Sequence, residues 1–152
     1  MNRIEREIVV KVPAKDLFSF HDDPTNLLKV MPSYLRVEIL AAPSRLHQGA
    51  RLHYAVLVGP LRFDWEMEIT EHAPPGKFVD VQKKGPFHRY QHTHLFYDEG
   101  EATRAVNIIE YELPKGALAE LAARIGFSRR LAELLEHMQA TTRRALEKTI
   151  ET

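Results

Sequence analysis

The sequence contains no cysteine among its 152 residues. Disulfide bonds, thiolate nucleophiles and cysteine-ligated zinc sites are therefore excluded. The chain also lacks an excess of either charge, because 21 basic residues balance 21 acidic ones. Nucleic-acid-binding domains usually carry a basic patch or stripe, so this balance argues against a nucleic-acid partner and against an anionic membrane surface.

Long apolar segments are absent as well. No run approaches the roughly 18 apolar residues that a membrane-spanning helix needs, so no span is expected. Residues 1–7 are charged and lack the apolar centre of a signal peptide, which predicts a cytoplasmic location. Phosphate-binding glycine loops, metalloprotease helix motifs and serine nucleophile elbows are missing too. We therefore predict no cofactor, and a single domain over residues 1–152.

Most of the chain is typical of short antiparallel strands separated by Gly and Pro turns. The clearest alternation runs through residues 61–70, where Phe63, Trp65 and Met67 share one face and charged residues share the other. The predicted strands are 4–12, 35–41, 50–58, 61–70, 78–84, 88–98 and 103–113. Two short helices, 14–20 and 24–31, follow the first strand and are too short to be stable alone.

The last third of the chain predicts a long amphipathic helix from residue 116 to about Glu151. Its apolar side includes Leu118, Leu121, Ala122 and Ile125, and the pattern restarts after Gly126 with Leu131, Leu134, Leu135, Met138 and, near the end, Ile150. Glycine costs about 1 kcal/mol inside a helix, so we expect a kink or break at Gly126.

This order predicts an α+β fold in which a curved, seven-stranded antiparallel sheet wraps around the C-terminal helix. The two short helices are expected to close one end. A curved sheet around one helix tends to leave an apolar cavity between the two layers, which is where small-molecule sites usually lie.

Three stretches, residues 71–87, 90–96 and 107–116, resemble a bacterial subfamily of the START/polyketide cyclase (SRPBCC) superfamily. The chain departs from that subfamily by carrying Tyr90 where Trp is frequent and Asn107 where Asp is frequent. The resemblance implies a helix-grip fold and a cavity for hydrophobic or amphipathic molecules. Superfamily members include lipid carriers, ligand sensors, aromatic cyclases and quinone-binding proteins, so the fold does not fix the function.

A row of polar side chains, His88, Tyr90, His92 and His94, is predicted on the inner face of the sixth strand. His92 and His94 could bind zinc, but the spacing nominates no third or fourth ligand, and His53 is expected to point away. Either histidine could also act as a general acid or base. The simplest interpretation makes them buried groups that are hydrogen-bonded to Tyr111, Asp80 or Asn107 and that orient a ligand. We predict no metal and no assigned catalytic residue.

Asp80 and Gln82 share a strand face with Phe78, whereas Val79 and Val81 offer a competing inward row. The predicted cavity residues are Tyr54, Phe63, Trp65, Met67, Asp80, Gln82, Tyr90, His92, His94, Asn107, Ile109, Tyr111, Leu131, Leu135 and Met138.

The favoured function is carriage or sensing of a hydrophobic or amphipathic small molecule such as a lipid, quinone or polyketide. One alternative is a cyclase or dehydrase acting on a polyketide-like or aromatic substrate. Another is a regulatory protein-interaction module with a vestigial cavity. The partner is expected to be a small molecule, and the protein a monomer or a homodimer.

Overall fold

The computed structural model describes residues 1–150, except for the side chains of residues 118, 149 and 150. This part of the chain forms seven strands and four helices. The strands are β1 (Asn2–Val10), β2 (Arg36–Ala41), β3 (Arg51–Val58), β4 (Leu61–Ala73), β5 (Lys77–Lys84), β6 (Arg89–Asp98) and β7 (Thr103–Glu112). The helices are α1 (Ala14–Asp22), α2 (Asn26–Val30), α3 (Ala117–Arg124) and α4 (Phe127–Ile150).

The strands form one antiparallel sheet in the order β1-β7-β6-β5-β4-β3-β2. Every neighbouring pair except β1 and β7 is consecutive in the chain. The register of β4 against β5 shifts between Glu66 and Met67 and again between Ile69 and Glu71. Because such bulges bend and twist a strand, they help curve the sheet towards α4. The predicted helix-grip fold is confirmed.

Alternation along β4 separates the two faces of the sheet, as predicted. Met67 and Ile69 are buried, whereas Arg62 and Asp64 on the opposite face are exposed and lie 3.4 Å apart as an ion pair. Successive strand residues point to opposite faces. The apolar row therefore turns towards α4, and the charged row remains in solvent.

Helix α4 lies along β1, the edge strand of the sheet. The side-chain amide of Gln139 donates a hydrogen bond to the backbone oxygen of Arg6 at 3.1 Å. The backbone N–H of Lys11 donates to Oε1 of Glu147 at 3.0 Å. An edge strand leaves part of its backbone without hydrogen-bond partners. These two contacts supply partners for backbone groups of Arg6 and Lys11, and they hold the helix against β1. Leu135 is buried in the core beneath them.

The expected break in the terminal helix is confirmed at Gly126, which separates α3 from α4. Gly126 has a φ of 67°, a conformation that glycine adopts without steric cost. The helix end predicted at Glu151, and the predicted apolar positions of the Leu118 and Ile150 side chains, lie outside the described residues.

Helices α1 and α2 close one end of the structure. Pro13 precedes α1 with a φ of −60°, which suits the start of a helix. The Phe18 ring of α1 is buried and packs edge-on against Phe78 and Phe96, with centroids 5.8 Å and 5.4 Å away. These aromatic contacts attach α1 to β5 and β6.

We predict that Leu135→Asp unfolds the domain. The side chain is only 3% exposed, and an uncompensated buried charge costs roughly 3–5 kcal/mol. Chemical denaturation followed by circular dichroism should show this loss. Arg143→Asp, on the exposed side of the same helix, serves as the control and should leave the midpoint nearly unchanged. Equal midpoints for the two variants would show that the buried face of α4 is wrongly assigned.

Candidate ligand-binding site

A cavity of about 460 Å³ lies between the inner face of the sheet and α4. Strands β3 to β7 supply most of its floor, α4 covers it, and α1, α2 and the segment leading into β2 close one end. Most of the lining side chains are aliphatic or aromatic. Small-molecule sites commonly occupy roughly 300–1,000 Å³ and have mainly apolar walls, so this cavity has the size and character of such a site.

One wall is aromatic and rests on β4. The Trp65 ring meets Tyr90 edge-on at 4.9 Å and lies 5.7 Å from the Phe87 ring. Behind it runs the turn between β5 and β6, where a Cβ atom added to Gly85 would lie 2.6 Å from Cδ1 of Trp65. Trp65 Nε1 is buried and has no hydrogen-bond partner in the part of the chain that the structure describes. Because Gly85 has no Cβ atom, the turn can pack directly against the indole ring of Trp65.

The structure brings most of the predicted residues together on the cavity wall. Those that line it are Tyr54, Phe63, Trp65, Met67, Asp80, Tyr90, His92, His94, Asn107, Ile109, Leu131, Leu135 and Met138. On β5, Phe78 and Asp80 line the cavity, whereas Val79 and Val81 do not. The inward row of β5 is thereby identified. That these residues contact a ligand stays a prediction.

Three predicted positions differ in the structure. The Gln82 amide is engaged by the following turn, donating to the Phe87 backbone oxygen at 2.8 Å and accepting from its N–H at 3.3 Å. The Tyr111 hydroxyl is hydrogen-bonded to Ser128 of α4 rather than to a histidine, and neither side chain lines the cavity. His88 is exposed and precedes β6. Its predicted place in the inward row is wrong, because the turn after Gly85 includes His88 and β6 begins only at Arg89.

The polar part of the floor is built from diagonal contacts between neighbouring strands. In the sheet register, Asp80 is opposite His92, and His94 is opposite Asn107. The hydrogen bonds cross this register: His94 Nε2 donates to Oδ1 of Asp80 and His92 Nε2 donates to Oδ1 of Asn107, each at 2.9 Å. The predicted partners Asp80 and Asn107 are confirmed. Diagonal neighbours on a sheet lie within reach of long side chains.

Ring stacking completes this cluster. The His92 and His94 rings stack with centroids 3.7 Å apart, and the Phe78 ring stacks on the other side of His94 at 3.9 Å. The remaining ring nitrogen of His94, Nδ1, is buried without a partner among the described residues. Two imidazoles this close disfavour a positive charge on either ring.

Burial sets the charge state of the cluster. It lowers the pKa of His92 to about 3, and the neighbouring His94 contributes to the fall. Burial likewise lowers the pKa of His94 well below its ordinary value, and it lowers the pKa of His21. The pKa of Asp80 rises to about 6 through burial, and the smaller influences of the neighbouring histidines act in the opposite direction. Near pH 7 the imidazoles are therefore neutral, and Asp80 is mainly a carboxylate.

Asp80 also supplies the third metal-ligating group that the sequence did not nominate. The ligating atoms of Asp80, His92 and His94 all lie within 4.8 Å of one another, which is close enough for one ion to reach them. In the observed arrangement, however, both Nε2 atoms are already engaged by Asp80 and Asn107. An ion bound through both Nε2 atoms would have to replace these hydrogen bonds.

His21 is the main polar residue of the site that sequence reasoning missed. It lies in the last turn of α1, lines the cavity, and its ring lies 6.0 Å from the His94 ring. Its Nδ1 lies 2.9 Å from the Leu17 backbone oxygen. The only available signal was its spacing of four from Leu17, which places both on one helical face.

A family model described as "Polyketide cyclase / dehydrase and lipid transport" matches residues 10–139. The chain belongs to this family. The match spans the cavity floor, the two closing helices and the cavity-facing half of α4. The START-like family relationship predicted from the sequence is thereby confirmed. No curated protein sequence matches the chain.

Solved structures share the same architecture. A protein from Thermus thermophilus superposes with a TM-score of 0.76 at 21% identity, covering 97% of this chain and 99% of that one. A START superfamily protein from Mycobacterium smegmatis gives 0.69 at 14% identity, with 97% and 98% coverage. An aromatase/cyclase from a Streptomyces species gives 0.66 at 15% identity, with 95% of both chains covered. At these identities the similarity concerns the fold.

We predict that acidification from about pH 7 to pH 5 destabilises this family member. Burial keeps His92 neutral in the folded protein, whereas in the unfolded chain it titrates at the ordinary pKa of about 6.5. The stability that this difference contributes is fully present above about pH 6.5 and is lost as the pH falls towards 3. Between pH 7 and pH 5 the free energy of unfolding falls by about 2 kcal/mol on this account. His21 and His94 act in the same direction. Asp80 opposes them, because its raised pKa gives stability at low pH that is lost as the pH rises through about 6.

Urea denaturation at the two pH values measures this effect. His92→Asn should lose about 2 kcal/mol less than wild type on acidification, because one depressed titration is removed. His88→Asn, at an exposed position, is the control and should behave like wild type. An unchanged pH sensitivity in His92→Asn would contradict the assignment of His92 as a buried neutral imidazole.

We also expect a chelator to leave the melting temperature unchanged, because hydrogen bonds already occupy the two Nε2 atoms that face Asp80 and Asn107. Thermal melts with EDTA, and with added Zn²⁺ or Co²⁺, test this expectation. A rise in the melting temperature with Zn²⁺ that disappears in Asp80→Asn would instead establish a metal site at Asp80, His92 and His94.

Proposed function

We propose that this protein binds a hydrophobic or amphipathic small molecule in the cavity between the sheet and α4, and acts as a carrier or sensor. The observation that carries the proposal is the cavity itself, with mainly apolar walls and one polar cluster on its floor. Apolar walls favour burial of a greasy ligand, and a few fixed polar groups orient it. The family description, which includes lipid transport, supports the same function.

A cyclase or dehydrase activity is the second candidate, and the Asp80–His94 pair favours it. A carboxylate 2.9 Å from an imidazole that lines a cavity is an arrangement that can move protons at a bound substrate. The family description includes this chemistry, and one structural neighbour is an aromatase/cyclase. Turnover that disappears in His94→Ala while ligand binding persists would favour the enzyme over the carrier.

None of the helices in the described part of the chain is long and apolar enough to cross a membrane. The cytoplasmic location, the monomeric or homodimeric state and the absence of a nucleic-acid partner stay predictions from the sequence.

Ligand binding can be measured through Trp65, because it is the only tryptophan and it lines the cavity. Titration with long-chain alcohols, quinones and aromatic polyketides should give a saturable change in its emission for at least one class. Absence of any response, together with unchanged melting temperatures, would contradict small-molecule binding and favour the protein-interaction alternative.

Two neighbouring substitutions on β3 give a matched control. Val56 lines the cavity, whereas Leu57 lies on the opposite strand face and does not. Val56→Phe should occupy cavity space and weaken binding at least roughly tenfold, since the extra ring competes with the ligand for a confined volume. Leu57→Phe adds the same ring outside and should leave affinity unchanged. Similar affinities for the two variants would place the ligand elsewhere.

A further inference from the structure

The polar groups of the cavity are arranged around one carboxylate, Asp80. Its Oδ1 accepts the hydrogen bond of His94 at 2.9 Å. Tyr90 is a diagonal neighbour of Asp80, because it lies two residues before His92, which is opposite Asp80 in the sheet. Burial raises the pKa of both Tyr54 and Tyr90, and the negative charge of Asp80 raises it further. His21 and His92 lie within its electrostatic reach too. One part-buried acidic group thus lies close to residues from β3, β6 and α1.

Among the described residues that line the cavity, none is lysine or arginine. The acidic residues on the wall are Asp23 and Asp80. The three lining histidines, His21, His92 and His94, are held neutral by burial. An anionic head group inside the cavity would therefore meet no positive charge and would lie near a carboxylate. A buried charge without a partner is strongly unfavourable.

The two tyrosine hydroxyls supply the complementary observation. Both side chains line the cavity, and neither hydroxyl has a hydrogen-bond partner within the described part of the chain. Each hydroxyl can therefore pair with a group bound in the cavity. An ionised carboxylate has about four acceptor sites, of which His94 uses one. The floor therefore offers spare hydroxyl groups beside spare acceptor capacity.

We propose that Asp80, Tyr54 and Tyr90 form a head-group subsite that selects an uncharged hydroxyl, as in a long-chain or ring-bearing alcohol or phenol, and rejects carboxylates. The inference rests on the proposed ligand-binding function and narrows its ligand class. A hydroxyl donates to Asp80 and accepts from a tyrosine at the same time. A carboxylate can only accept and adds like charge, whereas an ammonium can only donate.

Three ligands with the same chain separate these possibilities: 1-decanol, decanoate and decylammonium. They are titrated at about pH 8, below their aggregation concentrations, with Trp65 emission and melting temperature as two readouts. We expect 1-decanol to bind at least roughly 100-fold more tightly than decanoate, because placing like charges together lowers affinity by about two powers of ten or more. It should also bind more tightly than decylammonium, which must lose its hydration.

Asp80→Asn removes the charge and preserves the shape of the side chain. This variant should gain affinity for decanoate by about tenfold or more, with a smaller change for 1-decanol. Asp64→Asn is the matched control, because Asp64 is exposed on the outer face of β4. It should reproduce the wild-type preference.

The outcomes are distinguishable. Decanoate or decylammonium binding to wild type as tightly as 1-decanol would overturn the head-group proposal and leave the ligand-binding function intact. Equal ligand preferences in Asp80→Asn and Asp64→Asn would remove Asp80 from the subsite. If neither these three ligands nor the broader ligand classes bind, both this proposal and the proposed function fail.

Discussion

The attachment of α4 to the edge strand β1 is the constraint on which the cavity depends. Gln139 and Glu147 of the helix satisfy the backbone oxygen of Arg6 and the backbone N–H of Lys11, groups that an edge strand would otherwise leave open. These contacts hold the helix over one edge of the curved sheet, on its inner side. The middle of the sheet is therefore separated from the helix, and the side chains there do not fill the space. The cavity is a consequence of where the helix is attached.

The floor of that cavity contains more polar groups than an apolar pocket needs, and their arrangement limits the cost of burying them. Asp80 and Asn107 lie on strands that flank β6, and each accepts a hydrogen bond from a histidine of β6 across the register. Satisfying a buried group in this way avoids most of its desolvation penalty. What remains is a fixed cluster of neutral rings around one carboxylate. In such a setting the charge of an incoming molecule matters as much as its shape.

Much of this architecture could be predicted from the sequence, because strict alternation and turn residues are local signals. The run around Phe63, Trp65 and Met67 identifies the inner face of β4 without further information, and the resemblance supplies the helix-grip arrangement. Strand β5 could not be assigned in the same way. Phe78 and Val79 are both buried although they point to opposite faces, so apolar character does not reveal which residue faces the cavity.

Other differences have equally local causes. His88 continues the period of β6 in the sequence, but it is the last residue of the turn that begins at Gly85, and its side chain is exposed to solvent. Strand alternation places Gln82 on the inner face, yet its side-chain amide is hydrogen-bonded to the backbone of Phe87 in the same turn. His21 enters the site from a helix far away in the chain. Its position depends on how α1 packs on the sheet, a tertiary contact that no periodicity encodes.

The close approach of Gly85 to Trp65 has a consequence for the evolution of this cavity. A Cβ atom at position 85 would lie 2.6 Å from the indole of Trp65, so the two positions cannot change independently. A substitution of Gly85 by any other residue would require a smaller or displaced side chain at position 65, and the cavity wall would change shape. The range of ligands that the cavity can bind therefore depends on a residue in the turn behind its wall.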